Sequence, residues 1–354
     1  MMQLHARSPW DVRRLYRRRH PLIPKALGIY GSVGVRLTRL ADDTEARELA
    51  LGALETLVAD DLGAPAWGYH WDMQTRWSFY PAGMPNVVVT AFGASALCEA
   101  ATAFDRPDFA ERAKKAATWV RDELFYEPGG HFVYHPGATV NIHNASLLGA
   151  WLVLRLLPGD EIAAGRARRA VERVLAAQAD DGSWGYGVGP ALSWADSFHT
   201  GYVLTCLARL ADLDVRVPEA LARGTRFYER FFDEQGRAKL WADRDYPEDA
   251  HSAGTGLTTL SALVRSRHAD RELLERVACR SLESGIRNGH AVYRRYRGLR
   301  TTVRYLRWAD AHLALGLADA ALCLAGRDPT QVSTLPPAAS GAGPAPRAAP
   351  LPAS

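Results

Sequence analysis

The chain has little of what would let it fold or act by the commonest shortcuts. Its four cysteines, Cys98, Cys206, Cys279 and Cys323, stand far apart in 354 residues, with no C-x-x-C pair. Such spacing excludes a disulfide framework and a cysteine knuckle, and the expectation is four buried, reduced thiols. Lysine is nearly absent, with four residues in a Lys+Arg total of 43. A net charge of only +4 gives no ground for a nucleic-acid partner. No H-E-x-x-H or similar metal spacing occurs, and no glycine-rich phosphate loop leads from a strand into a helix. Neither a metal nor another cofactor is implied. No uninterrupted apolar segment could serve as a signal peptide or span a bilayer, so the expected location is cytoplasmic.

What the sequence does have is apolar and periodic. At 47% hydrophobic it can bury a large core without staples. After a lead-in over residues 1–20 that carries Arg13, Arg14, Arg17, Arg18 and Arg19, residues 21–60 read as two paired helices. The lead-in is a candidate for contact with an anionic membrane surface. A unit of just over fifty residues then recurs: the polar start of an apolar helix falls at Thr90, Asn144, Thr200, Thr255 and Asp310, at intervals of 54, 56, 55 and 55. These five helices are apolar on nearly every side, with C-terminal halves that read as alanine and leucine, which demands neighbours all round. Charged amphipathic helices over 107–123, 160–178, 217–232 and 269–285 alternate with them. The tail 328–354 is Pro, Ala, Ser and Gly without periodicity and is expected to be disordered.

Inner and outer helices at this period predict an all-α closed double ring of about six hairpins, an α/α toroid over residues 21–327. In such a ring every outer-to-inner loop opens at one mouth. Short aromatic turns precede each inner helix, at 67–71, 131–135, 183–187, 239–241 and 291–296, and polar residues cluster with them. The stretch Q-A-D-D-G-S-W-G-Y-G-V-G-P-A-L-S-W-A-D-S-F-H-T-G-Y, Gln178 to Tyr202, carries Asp196, His199 and Tyr202 at helical spacings of three. His143 and His251 begin neighbouring inner helices. With them, Trp67, Tyr69, Trp71, Asp72, Asn86, Asn141, Asn144, Asp181, Trp184, Tyr186, Trp241, Trp308 and Asp310 form the expected wall of a sugar-sized cleft. Converging helix N-termini favour an anionic ligand such as a uronate carboxylate or a phosphate. The run Arg294 to Arg307 is either a solvated face or a docking strip for such groups.

The Q-A-D-D-G-S-W segment resembles the Q-x-x-x-G-x-W turn of triterpene cyclases and their prenyltransferase relatives, which are also α/α toroids. Their D-x-D-D, D-D-x-x-D and zinc-binding sets are missing here, so the turn implies fold and not terpenoid chemistry. The segments W-G-Y-H-W-D-M-Q, P-A-G-M-P-N, V-N-I-H-N-A-S, D-S-F-H-T-G-Y and R-W-A-D-A-H are similar to a bacterial and archaeal group of toroid proteins associated with surface-polysaccharide biosynthesis. That resemblance implies a glycan substrate. Among sugar-active toroids, N-acylglucosamine 2-epimerases use a histidine pair, and uronate lyases and glucuronyl C5-epimerase combine Tyr or His with groups that neutralise a carboxylate.

Weighed directly, His143, His199 and His251 with Tyr202 suit proton transfer beside a carbonyl or carboxylate. Asn86, Asn141 and Asn144 could hold a developing enolate. Hydrolysis would need two opposed carboxyls from Asp72, Asp181, Asp196, Asp249 and Asp310. An epimerase- or lyase-type enzyme is the leading expectation, with hydrolysis as a variant and a non-catalytic glycan-binding or assembly protein as the alternative. Oligomeric state is left open.

Overall fold

The computed structural model describes residues 22–327 apart from 76, 77 and 302. The arginine-rich lead-in and the Pro/Ala tail lie outside the described residues. The periodic apolar stripes become eleven α-helices among those residues: α1 Pro24–Ala41, α2 Thr44–Ala59, α3 Val87–Ala103, α4 Pro107–Glu123, α5 His143–Leu156, α6 Glu161–Ala176, α7 Ser197–Arg209, α8 Val217–Glu229, α9 Ala250–Arg265, α10 Arg271–Ser284 and α11 Ala311–Leu324. Asn86, Asp196 and Asp249 end the loops before α3, α7 and α9, each accepting a hydrogen bond from the backbone N–H three residues on. Those bonds satisfy donors that an unclosed helix start would leave orphaned.

The odd-numbered helices form the inner wall. α1 packs on α3, and contact then passes through α5, α7 and α9 to α11, which returns to α1. The ring is closed. The even-numbered helices lie outside, each against the inner helix before it. The sequence reading left open whether the first helix supplies a missing outer partner; α1 is instead an inner helix, and it closes the seam. No sixth outer helix occurs among the described residues.

Inner-to-outer connections are short, whereas the outer-to-inner loops are long and gather at the N-terminal ends of the inner helices. They carry the only strands among the described residues: β1 Met73–Gln74, β2 Phe79–Tyr80, β3 Phe125–Tyr126, β4 His131–Phe132, β5 Glu248–Asp249, β6 Ile286–Arg287, β7 His290–Ala291, β8 Arg294–Tyr296 and β9 Leu299–Arg300. These pair antiparallel as β1–β2, β3–β4, β6–β7 and β5–β8–β9. The aromatic turns at 131–135 and 291–296 fall in these hairpins and that at 67–71 leads into β1, whereas those at 183–187 and 239–241 make only isolated bridges, Ile142 with Gly187 and Lys239 with Glu248. Cys98, Cys206 and Cys323 are buried and free as expected, but Cys279, on outer helix α10, is exposed.

The far halves of the inner helices are not wholly apolar, as the sequence reading had them. Arg36 of α1, 3% exposed, donates to Glu99 of α3 at 2.7 Å and to Asp319 of α11. Glu99 also accepts from Ser32 at 2.8 Å and faces Arg155 of α5 at 3.6 Å, while Asp319 accepts from Thr258 of α9 at 2.8 Å. Burial works against the Glu99 carboxylate, yet Arg36 and Arg155 hold its pKa down at about 2. One network therefore joins five of the six inner helices across the seam. Replacing Glu99 by glutamine leaves Arg36 with Asp319 alone and Arg155 facing no carboxylate across the seam, one uncompensated charge in the core, and is expected to lower unfolding free energy by about 3–5 kcal/mol. Urea denaturation of Glu99→Gln would measure it; a change within error would mean the network carries no stability.

Candidate active site

The mouth narrows onto a floor built by five inner helices. Lys25 of α1, Phe92 of α3, Tyr202 of α7, His251 of α9 and His312 of α11 meet there. Glycines allow the approach. A Cβ on Gly254 would lie 2.3 Å from the His312 carbonyl carbon, and one on Gly316 would lie 2.2 Å from the Gly254 oxygen, so α9 and α11 touch backbone to backbone. Their histidines consequently stack, His251 on His312 with ring centroids 4.1 Å apart and Phe198 on the other face of His251 at 4.2 Å. Gly28 meets Phe92 and Gly93 of α3 in the same way, which brings Lys25 Nζ 4.5 Å from the centre of the Phe92 ring.

Tyr202 Oη lies 3.0 Å from His251 Nε2 and 3.4 Å from His312 Nε2. A phenol has one proton, so hydrogen bonds along both contacts would make the two imidazoles opposite tautomers. Burial, and then the charges of His312 and Lys25, push His251 well below its ordinary pKa; burial followed by Lys25 and Arg307 does the same to His312. Both rings are neutral at neutral pH. Burial also raises the Tyr202 phenol, which stays protonated.

Above this floor His199 donates or accepts through Nδ1 at 2.9 Å from Asp196 Oδ2, the same carboxylate that caps α7. Its ring is held edge-on by Tyr186 at 4.5 Å and Trp194 at 5.5 Å, two side chains themselves stacked at 4.5 Å. The imidazole is 22% exposed, and Asp196 occupies its Nδ1. Across the mouth Arg307 lies over Trp308 at 4.8 Å, Tyr69 at 4.9 Å and Trp71 at 5.2 Å. Asn144, Tyr186, Asp196 and His199 line one small cavity together with Trp184 and Thr200. Trp241 adjoins this wall, 6.2 Å from Trp194.

Other residues singled out from the sequence have different work. The stretch Gln178 to Tyr202 divides in two, its opening residues stapling the turn and only residues from Trp184 onward lining the small cavity. Gln178 Nε2 donates to the Gly182 and Ala220 carbonyls at 3.0 Å each, stapling the turn to α8. Trp184 Nε1 donates to the Val174 carbonyl and Trp67 Nε1 to the Leu57 carbonyl, both at 2.9 Å, so each indole closes the outer helix ten residues behind it. Asp181 is exposed beside Arg230 of α8, and Asp72 is exposed and holds the Ala82 N–H at 2.8 Å. Neither faces the floor, because each is spent shaping its own turn.

His143 donates from Nδ1 to the Gly185 carbonyl at 2.8 Å, and burial lowers its pKa. It stands apart from the His251–His312 stack. Asn86 is a buried cap, Asn141 lies on the loop wall where its carbonyl accepts from Val188, and Asp310 accepts the Ala291 N–H at 2.8 Å. The sequence reading passed over Lys25, Phe92 and Trp194 as site residues, noted His312 without assigning it, and had Arg307 only as the end of an arginine run that was either a solvated face or an anion-docking strip. A lone lysine opening an apolar helix was the available signal for the first.

No family model matches the chain, and no curated protein matches its sequence. Solved structures do match in shape. A cellobiose 2-epimerase from Bacillus thermoamylovorans superposes with TM-score 0.61 at 11% identity, covering 84% of this chain and 87% of its own. A polysaccharide lyase gives 0.59 at 12% identity over 88% and 92%, and an unsaturated glucuronyl hydrolase specific for heparin gives 0.64 at 10% identity over 86% and 87%. The fold is an (α/α)6 toroid. Identities this low carry the toroid's architecture to this chain and nothing of its chemistry. No helix among the described residues is long and apolar enough to cross a membrane.

The buried histidines also set a pH dependence. Their pKa values are depressed on folding, so the unfolded chain, with histidines near about 6.5, binds more protons, and stability falls as pH drops below that value. Urea midpoints measured near neutrality and near about pH 5 should show this loss, and His312→Gln should shrink it. An unchanged pH dependence in that variant would mean the stacked pair titrates normally.

Proposed function

We propose that this toroid is a carbohydrate-active enzyme that moves a proton at a sugar carbon next to a carbonyl or carboxylate, in the manner of an epimerase or a lyase. The observation that carries the reading is the neutral floor, Tyr202 set between His251 and His312, lying below a His199–Asp196 dyad. His199, its Nδ1 occupied by Asp196, offers Nε2 as the base; the lone pair takes the proton and the electron pair of the C–H bond passes into an enolate. Tyr202, fed by its imidazole partners, returns a proton to carbon for epimerisation. Departure of a β-oxygen substituent instead gives elimination. Trp71, Trp241 and Trp308 supply apolar faces for a sugar ring.

Proton transfer is favoured over hydrolysis because the aspartates are committed. Asp249 caps α9 and pairs with Arg294 at 2.7 Å, Asp310 holds a backbone N–H, and Asp72 and Asp181 serve exposed turns. With Asp196 bonded to His199 and capping α7, an opposed pair of free carboxyls, which hydrolysis requires, is not found among the five candidate aspartates. The shapes shared with an epimerase, a lyase and a hydrolase support a glycan or sugar substrate, and the sequence segments noted above favour a setting in polysaccharide synthesis or modification.

Incubation with candidate sugars in deuterated water tests the reading. Epimerisation incorporates solvent deuterium at the exchanged carbon, and elimination from a uronate yields an ultraviolet-absorbing unsaturated product. Tyr202→Phe should slow either by about 10²–10⁴-fold while leaving the melting temperature near that of the parent. Turnover that persists in both Tyr202→Phe and His199→Ala would sink it.

A further inference from the structure

We propose that Lys25 and Arg307 together receive an anionic group on the sugar, a carboxylate or a phosphate ester, and that the group binds with a proton taken up on Lys25. This rests on the reading of the cleft as a sugar site.

In a chain with four lysines, Lys114 and Lys115 are exposed and Lys239 is half-buried, whereas Lys25 is 6% exposed at the centre of the floor. Its ammonium touches ring faces, Phe92 at 4.5 Å and Tyr202 at 5.7 Å, and has no hydrogen bond or ion pair among the described residues. The groups facing it are Phe92 from α3, Tyr202 from α7, His251 from α9, His312 from α11 and Arg307 from the loop before α11. None is a carboxylate. Arg307 is unbalanced too: it lies on three aromatic rings, forms no ion pair among the described residues, and its buried Nη1 has no hydrogen-bond partner. The nearby carboxylates, Asp196, Asp249 and Asp310, are engaged with His199, Arg294 and the Ala291 N–H.

A buried ammonium beside a half-buried guanidinium, with no counterion among the described residues, is an unstable arrangement, and the protein relieves it by weakening the ammonium. Burial, and secondarily the charge of Arg307, lower Lys25 to about 7. An anion seated between the two removes that repulsion and restores the ammonium. Linkage then fixes the sign. Below about neutral pH Lys25 is already charged and binding moves no proton; above it the free amine must take up a proton, so affinity falls by about tenfold per pH unit until the bound-state pKa is passed.

Labelling the full chain with lysine enriched in carbon-13 at Cε gives four signals, and Lys25→Arg identifies the one from Lys25. In the free protein that signal should titrate near neutrality. D-glucuronate or glucose 6-phosphate should raise its midpoint by about one unit or more, the first response identifying a carboxylate and the second a phosphate ester, while glucose leaves it in place. Arg307→Gln should weaken the acid sugar by about tenfold and lift the free midpoint, since the repelling charge is gone. A Lys25 signal that no acid sugar moves, or that glucose moves as far, overturns the proposal. If Lys25→Arg does not fold, the parent and Arg307→Gln still decide, the responsive signal being the one with the low midpoint. Deuterium incorporation plays no part in this readout: a missing wash-in with a shifted Lys25 signal removes the proton-transfer reading alone, and wash-in with an unmoved signal removes the receptor alone.

Discussion

The closed ring depends on the guanidinium of Arg36. It stands where the first inner helix meets the last, and it bonds to Asp319 on one side and Glu99 on the other. Each charge in this group is affordable only because the others are in place, since an isolated buried ion costs far more than a hydrophobic contact returns. The charged contacts sit beside an apolar one, Ile29 and Val33 of α1 against Ala311 and Leu315 of α11. Lys25 stands on the same helix eleven positions before Arg36, so the contacts that seat α1 at the seam also seat the ammonium.

The floor is organised by close backbone approach and by shared burial. Where glycines let α9 and α11 touch, two imidazoles stack; where α1 and α3 touch, an ammonium lies on a phenyl ring. Crowding four titratable groups together beside Arg307 pushes histidine and lysine pKa values down and tyrosine up, in each case with burial as the leading cause. Neutral imidazoles therefore lie next to a cation that is easily discharged.

The period of the inner helices was legible because all-round apolarity cannot be solvated, and the alternation with amphipathic helices followed from the same cause. Asp196, His199, Tyr202 and His251 were legible from their register at helix starts. What escaped was anything fixed by the ring's closure. Asp319 and Glu99 went unread, in helix halves taken for alanine and leucine, and the seam is what brings Arg36 between them, 283 and 63 residues away in sequence. Lys25 belonged to a segment read as a preliminary hairpin, outside the repeat. Trp67 and Trp184 misled for the opposite reason: aromatic residues beside glycine at the mouth suggested a rim, but their indole N–H groups point outward to close helices α2 and α6.

Those two tryptophans divide their own long loops in two. The segment up to the indole is tied to the outer helix behind it, and the segment after it ends on the side chain that closes the next inner helix, Asn86 before α3 and Asp196 before α7. Each of these loops is therefore a strap between the two layers of the ring, fastened at both ends.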